Sequence, residues 1–246
     1  SEVDIVYAED TRVAKKLLSH LNQKKEVRSY FKGNELKKID EILNLLDDDK
    51  SIAMISDAGT PLISDPGNKL VKELIKSNVE IVSIPGPSSV LVALTLSGFD
   101  TEKFTFLGFV PKSGKERAEF FNNIHETQLT LICLTSPNTL KKDLQEFVNK
   151  NIENEIVVCR ELTKKFETIY RGTAKTLLRD IPDTEYRGEV TLVINKSQKI
   201  KNIDIDSEDL AKKLIEYKVP KREIAKIISS VTKEKVNSVY DLIKNL

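Results

Sequence analysis

The feature that most constrains folding is a rhythm in which short apolar runs rich in Val, Ile and Phe alternate with amphipathic segments. The runs fall at 5–8, 51–55, 79–84, 104–109, 129–134, 156–159 and 189–194. Each is the length of a strand, and the segments between them can hold crossover helices. The pattern therefore predicts an α/β fold with a largely parallel sheet. Leu36, Ile39, Leu43 and Leu46 fall at helical spacing and predict one buried stripe, and Leu70, Val71, Leu74 and Ile75 predict another.

A chain of 246 residues exceeds one small domain. The polar, basic stretch around Pro111-Lys-Ser-Gly-Lys-Glu-Arg117 reads as a connection, so the expected division is residues 1–111 and 112–196, each α/β. Residues 196–206 read as a linker. Beyond them the strand pattern ends, and 207–246 predicts a three-helix appendage. Asp206 or Ser207 would cap the first helix, Pro220 would open the second and Thr232 would cap the third. Leu210, Leu214, Ile224, Ile227, Ile228, Val236, Tyr240 and Ile243 would fill its core.

Charge excludes a protein held to nucleic acid by general phosphate attraction, because Lys+Arg of 39 nearly cancels Asp+Glu of 38. The tail carries nine Lys/Arg against six Asp/Glu, so it is +3 while the rest is −2. No apolar stretch reaches the roughly 20 residues of a membrane helix, so no membrane partner is expected. Cys133 and Cys159 sit inside apolar runs and read as reduced, buried thiols, which suits a reducing, cytoplasmic setting. With only His20 and His125, far from either cysteine, a zinc site or a His-based triad lacks material, and no metal is expected.

There is no Gly-x-Gly-x-x-Gly after a strand and no phosphate-binding loop ending in Gly-Lys-Ser/Thr. Instead, polar glycine-containing turns follow the strands directly, where open α/β sheets bind ligands. Ser56-Asp-Ala-Gly-Thr-Pro61 and Ser64-Asp-Pro-Gly67 follow the run at 51–55, and Ile84-Pro-Gly-Pro-Ser-Ser89 follows the run at 79–84. Gly59 permits close backbone approach, Asp57 can accept hydrogen bonds, and Ser88 and Ser89 stand at a helix start. Turn formation and helix capping account for these residues as well. Ala8-Glu-Asp-Thr-Arg12 closes the first run with more polar groups than one helix cap uses; Asp10 and Arg12 could equally be a structural ion pair.

Taken with Phe106-Leu-Gly-Phe-Val-Pro111 and Arg160-Glu-Leu-Thr-Lys164, these segments resemble, in order and over nearly the whole chain, the tetrapyrrole methylase superfamily. The similarity is to its ribosomal RNA branch, the 2′-O-ribose cytidine methyltransferases of 16S ribosomal RNA. Members of that branch open with a strand, a Gly-Thr-Pro-Ile-Gly-Asn-Leu type loop and a helix. The residues read here lack that segment, which is expected to lie upstream.

The resemblance implies a two-domain tetrapyrrole-methylase-like α/β fold with a helix-turn-helix-like appendage, S-adenosylmethionine in the interdomain cleft, and a homodimer. It implies cofactor contacts from Asp57, Gly59, Thr60, Ser88 and Ser89 on one side and from Leu134, Thr135, Ser136 and Pro137 on the other. Leu162 and Thr163 are weaker candidates of the same kind. Glu9 and Asp10 are the nearest carboxylates for a general base and Arg12 for a phosphate. Arg160 and Glu161 are not expected to be catalytic. The implied partner is 16S ribosomal RNA in the small ribosomal subunit, touched in part by Lys212, Lys213, Lys218, Lys221, Arg222 and Lys226. The alternatives are a corrin, porphyrin or diphthine-type methyltransferase, and a non-catalytic RNA-binding adaptor.

Overall fold

The computed structural model describes residues 2–185, 188–196, 206–232 and 235–244, excepting the side chains of His125 and Glu126. The chain forms two compact units, Ser1–Lys196 and Ser197–Leu246. The expected linker lies almost wholly outside the described residues.

The first unit contains two sheets. In the smaller, β1 (Ile5–Ala8) pairs in parallel with β2 (Glu26–Ser29) and β3 (Ile52–Ile55), in the order β2-β1-β3. The helices α1 (Thr11–His20), α2 (Glu35–Asp47) and α3 (Asn68–Lys76) alternate with these strands. The core here joins Ile5, Tyr7 and Tyr30 to Ile39 and Ile42 of α2 and Leu70 of α3. Three expected stripe residues fall outside it: Leu36 and Ile75 are exposed and Val71 is half-buried. At the start of α2 the buried position belongs to Glu35, whose carboxylate accepts the Gly67 N–H at 3.2 Å.

The larger sheet has the order β4-β5-β8-β6-β7, formed by β4 (Phe104–Phe109), β5 (Thr130–Thr135), β6 (Ile156–Arg160), β7 (Thr168–Gly172) and β8 (Val190–Ile194). Only β4 and β5 run parallel; β8 inserts antiparallel between β5 and β6, and β7 is an antiparallel edge. The largely parallel sheet expected from the run pattern is thus realised only in the smaller sheet.

Both faces of the larger sheet are covered, which explains the unbroken apolar strands. Leu131, Cys133, Ile156, Val158, Leu192 and Ile194 share one core with Phe121 and Ile124 of α5 (Gly114–Glu126), Leu140, Leu144 and Phe147 of α6 (Pro137–Asn149), and Ala174 and Leu177 of α7 (Ala174–Asp180). On the opposite face Ile132, Val157, Cys159 and Val193 pack with Val90, Ala93 and Leu94. Those three belong to α4 (Ser89–Ser97), so a helix that follows the smaller sheet in sequence is seated on the larger one. This brings Ser88 and Ser89 between the two sheets.

The run at 79–84 is not a strand: it joins no ladder, and Ile81, Val82 and Ile84 are exposed. Conversely, the strands β2 and β7 have no counterpart among the expected runs. Both cysteines are buried free thiols, and no helix among the described residues is long and apolar enough to cross a membrane.

The second unit packs α8 (Ser207–Glu216), α9 (Lys221–Thr232) and α10 (Val236–Lys244) around Ala211, Ile224, Ala225, Ile228, Val239 and Ile243. Asp206 caps α8, accepting the N–H groups of Glu208 and Asp209 at 2.9 and 3.2 Å. Thr232, expected to cap the third helix, ends α9, and its hydroxyl donates to the Ile228 carbonyl at 3.0 Å. Ile227, Val236 and Tyr240, expected inside, are exposed, because Val239 and small Ala211 and Ala225 fill the axis.

Candidate active site

The loops that follow β3 and β5, the end of β4 and the start of α4 converge on one cleft of about 360 Å³, within the range of small-molecule sites. Its first wall is Asp57, Ala58, Gly59, Thr60, Ile63, Ser64 and Asp65, followed by Ser88 and Ser89 at the start of α4. The opposite wall is Phe109, then Leu134, Thr135, Ser136 and Pro137, with Cys159, Leu162 and residues 188–191 completing it. All nine residues expected to contact a cofactor, Asp57, Gly59, Thr60, Ser88, Ser89, Leu134, Thr135, Ser136 and Pro137, therefore line the same space.

Local chemistry holds these loops in place. The Thr60 hydroxyl donates to the Pro87 carbonyl at 3.0 Å, tying the β3 loop to the turn before α4. The Ser88 hydroxyl accepts the Leu91 N–H at 3.4 Å as the cap of α4, so the capping reading holds for this residue while its neighbour Ser89 opens the helix. Gly59 adopts φ +77° and Gly188 φ +86°. Leu62 and Ser64 in one loop, and Glu161 and Thr163 in another, also have positive φ without being glycine. Bulky and β-branched residues adopt that conformation only where the surroundings impose it, and such residues cluster at ligand sites.

The acidic segment after β1 lies apart from this cleft. Asp10 caps α1 through the Arg12 N–H at 2.8 Å and grips the Arg12 guanidinium at 2.6 to 3.2 Å. That hydrogen bonding holds its carboxyl down at about 2. The two residues are committed to each other, as the ion-pair reading anticipated, and neither lines the cleft. The link to the site is indirect: the Asp10 N–H donates to Asp57 at 3.2 Å. Glu9 borders a small recess of about 10 Å³ that it shares with Asp65, and Asp65 also lines the main cleft.

Burial pushes the Glu9 carboxyl above its ordinary range, and repulsion from Asp65 and Asp57 adds to it. Asp65 is raised in the same way, by burial first, with Asp57 adding repulsion and a Ser56 hydrogen bond opposing. A carboxylate whose affinity for a proton is raised and that faces a cleft is suited to accept one. Sequence reading placed Asp65 in a motif but gave it no role.

Arg160 and Glu161, which are not expected to be catalytic, are both engaged by neighbouring side chains. Arg160 donates to Thr168 at 3.0 Å and pairs with Glu185 at 3.2 Å. Glu161 accepts the Glu189 N–H at 2.8 Å and pairs with Lys164 at 2.9 Å. No group of three or more potential metal ligands occurs among the described residues.

In the second unit, Lys212 pairs with Glu208 at 2.7 Å and Lys226 with Glu223 at 3.1 Å. Lys213, Lys218 and Arg222 form no ion pair among the described residues. They flank the junction of α8 and α9, where Tyr217 is 81% exposed. Lys221 reaches the Lys244 carbonyl at 3.4 Å, which brings the end of α10 to the same pole of the bundle.

Two sheets meeting over a cleft that mixes apolar surface with carboxylates and hydroxyls, one sheet all parallel and one with an inserted antiparallel strand, define a class. The chain belongs to the tetrapyrrole (corrin/porphyrin) methylase family, whose model matches residues 1–178. More particular relatives share its whole length. It is 33% identical to the ribosomal RNA small subunit methyltransferase I of Streptococcus pyogenes serotype M6, over 100% of this chain and 87% of that protein. It is 35% identical to the protein of the same name from Haemophilus influenzae, over 98% of this chain and 87% of that one. Among solved structures, a cobalt precorrin-4 methyltransferase of cobalamin biosynthesis superposes with a TM-score of 0.59 at 20% identity, covering 79% of this chain and 84% of that one. At that identity the likeness is one of fold.

Proposed function

We propose that the protein transfers a methyl group from S-adenosylmethionine to the ribose 2′-hydroxyl of a cytidine in 16S ribosomal RNA of the small ribosomal subunit. The observation that carries this reading is the convergence of the strand-end loops on one cleft, in a chain whose full-length relatives are named for ribosomal RNA methylation.

The cleft suits an adenosine-bearing cation. It offers carboxylates at Asp57, Asp65 and Glu189, hydroxyls at Ser64 and Ser89, free amides at the start of α4, and apolar surface from Ile63, Phe109 and Leu162. When bound, S-adenosylmethionine supplies an electrophilic methyl carbon on a sulfonium. The protein's task is then alignment and exclusion of water, the largest available gain for an in-line displacement. Asp57, Gly59, Thr60, Ser88 and Ser89 hold one side of the ligand, and Leu134, Thr135 and Ser136 the other. Asp65 is the carboxylate best suited to take the hydroxyl proton, with burial and the neighbouring Asp57 maintaining its raised affinity for a proton. Asp10 and Arg12 serve the reaction by fixing the first loop against Asp57.

The α8–α9 pole of the tail supplies cations for RNA phosphates on a body that is itself slightly negative. A homodimer in the cytoplasm completes the reading. The test compares maps of ribose methylation in 16S ribosomal RNA from cells with and without this gene. Loss of one 2′-O-methylcytidine supports the proposal, and an unchanged map overturns it.

A further inference from the structure

Behind the second wall of the cleft lies an ion pair that the proposed reaction does not use directly. Arg117 of α5 and Asp143 of α6 meet at 2.6 Å with side-chain exposures of 8% and 0%. Taking two charges out of water usually costs as much as the pair returns, so stability alone is a weak reason for such an arrangement.

Its connections suggest another role. The second oxygen of Asp143 accepts the hydroxyl of Thr135, and that hydroxyl also lies 3.1 Å from Thr139. Thr135 is buried, with its hydroxyl turned into the interior, so its side chain is engaged behind the wall it helps to form. Arg117 donates in addition to the Pro111 carbonyl at 3.0 Å and stacks over Phe121 at 4.8 Å. Between these anchor points the Val110 N–H donates to the Leu134 carbonyl at 2.9 Å. One buried pair thus clamps the ends of both β4 and β5, the two strands that deliver Phe109, Leu134, Thr135 and Ser136 to the cleft.

We infer that Asp143, oriented by Arg117, is a positioning residue: through Thr135 it fixes the backbone of residues 134–136 at the cleft wall and thereby sets the affinity for the nucleoside ligand. The ligand part of this inference rests on the reading of the cleft as an S-adenosylmethionine site.

The test uses the full-length protein and three readouts: amide hydrogen exchange at 134–136 without ligand, S-adenosylmethionine affinity by calorimetry, and melting temperature. Thr135→Val keeps the shape and removes the donor, whereas Thr135→Ser keeps the donor. The double variant Arg117→Met, Asp143→Leu removes both charges together, which apolar replacement commonly tolerates. Thr135→Val and the double variant should speed exchange at 134–136 and weaken binding about tenfold, since small misplacements at a site have large effects. Thr135→Ser should behave as wild type, and the double variant should melt at or above the wild-type temperature.

Wild-type exchange and affinity in Thr135→Val, or equal impairment in Thr135→Ser, overturns the inference. So does a double variant that melts lower yet binds normally. Should the double variant fail to fold, the Val and Ser pair decides alone. Absence of S-adenosylmethionine binding by the wild type would overturn the functional reading instead, and exchange at 134–136 would still decide whether Asp143 positions the wall.

Discussion

Three glycines separate the cost of backbone conformation from the cost of space, and they test whether the cleft loops are held as described. Gly98, at φ +74°, ends α4, and a Cβ there would meet nothing within 4 Å. Alanine at that position should cost only the left-handed penalty, about 1 kcal/mol, or a fall of about 3 °C in Tm for a chain of this size. Gly67 differs on both counts. Its φ of +133° is closed to other residues, and a Cβ would meet Leu62 Cγ at 3.0 Å and Met54 Sδ at 3.1 Å. Backbone strain of about 2 kcal/mol and overpacking of about 1–2 kcal/mol should together lower Tm by about 10 °C. Gly59, at φ +77° with only the Pro87 carbonyl at 3.8 Å, should match Gly98 in stability. Because it lines the cleft, Gly59→Ala alone should also weaken ligand binding. Thermal denaturation of the three variants, with calorimetry of ligand binding, provides the comparison. A Gly67→Ala protein melting within a degree or two of Gly98→Ala would refute the packing argument.

Other consequences follow from the same geometry. Asp57→Ala with Ser88→Ala should weaken S-adenosylmethionine binding by at least about tenfold, about 1.4 kcal/mol; unchanged calorimetric affinity would remove these residues from the site. Asp65, with its raised pKa, holds a proton more tightly folded than unfolded, so it favours folding at acid pH and disfavours it as pH rises through the raised value. Asp65→Asn should therefore melt higher than wild type near neutral pH, match it below the ordinary carboxylate range, and lose methyl transfer. Equal melting at neutral pH would speak against the burial argument. Replacing Lys213, Lys218, Lys221 and Arg222 together should lower the salt slope of ribosomal-subunit binding, by about 0.7–0.9 for each phosphate no longer neutralised. An unchanged slope with a lower melting temperature would make the tail purely structural.

The strands legible in the sequence were those with a continuous apolar run, whether fully buried like β5, β6 and β8 or only partly so like β3 and β4. The strands β5, β6 and β8 are covered on both faces and read as apolar runs, whereas β2, Glu-Val-Arg-Ser, has no run to read. The edge strand β7, Thr-Ile-Tyr-Arg-Gly, is half-buried and mixes polar with apolar residues. The run at 79–84 failed in the opposite sense: β propensity is a fitness for a pleated surface, and a strand also needs a partner. Asp57, Gly59 and Thr60 were visible because their loop follows the parallel strand β3, whereas Ser88 and Ser89 were reached through a run that is not a strand. Gly188 to Thr191 were not visible, because β8 runs antiparallel to β5 and so presents its beginning to the cleft, where a rule about strand carboxyl ends does not look. Asp65 stood in plain view within Ser64-Asp-Pro-Gly67, but only the fold reveals that it is shared between the cleft and the recess holding Glu9.

The central claim is most directly tested by incubating the full-length protein with methyl-labelled S-adenosylmethionine and three acceptors in parallel: small ribosomal subunits from cells lacking the gene, naked 16S ribosomal RNA, and a tetrapyrrole. The account predicts label on the RNA of the small subunit, recovered after digestion as 2′-O-methylcytidine and abolished in the Asp57→Ala, Ser88→Ala protein. Label on the tetrapyrrole, or on a base instead of a ribose, would contradict it.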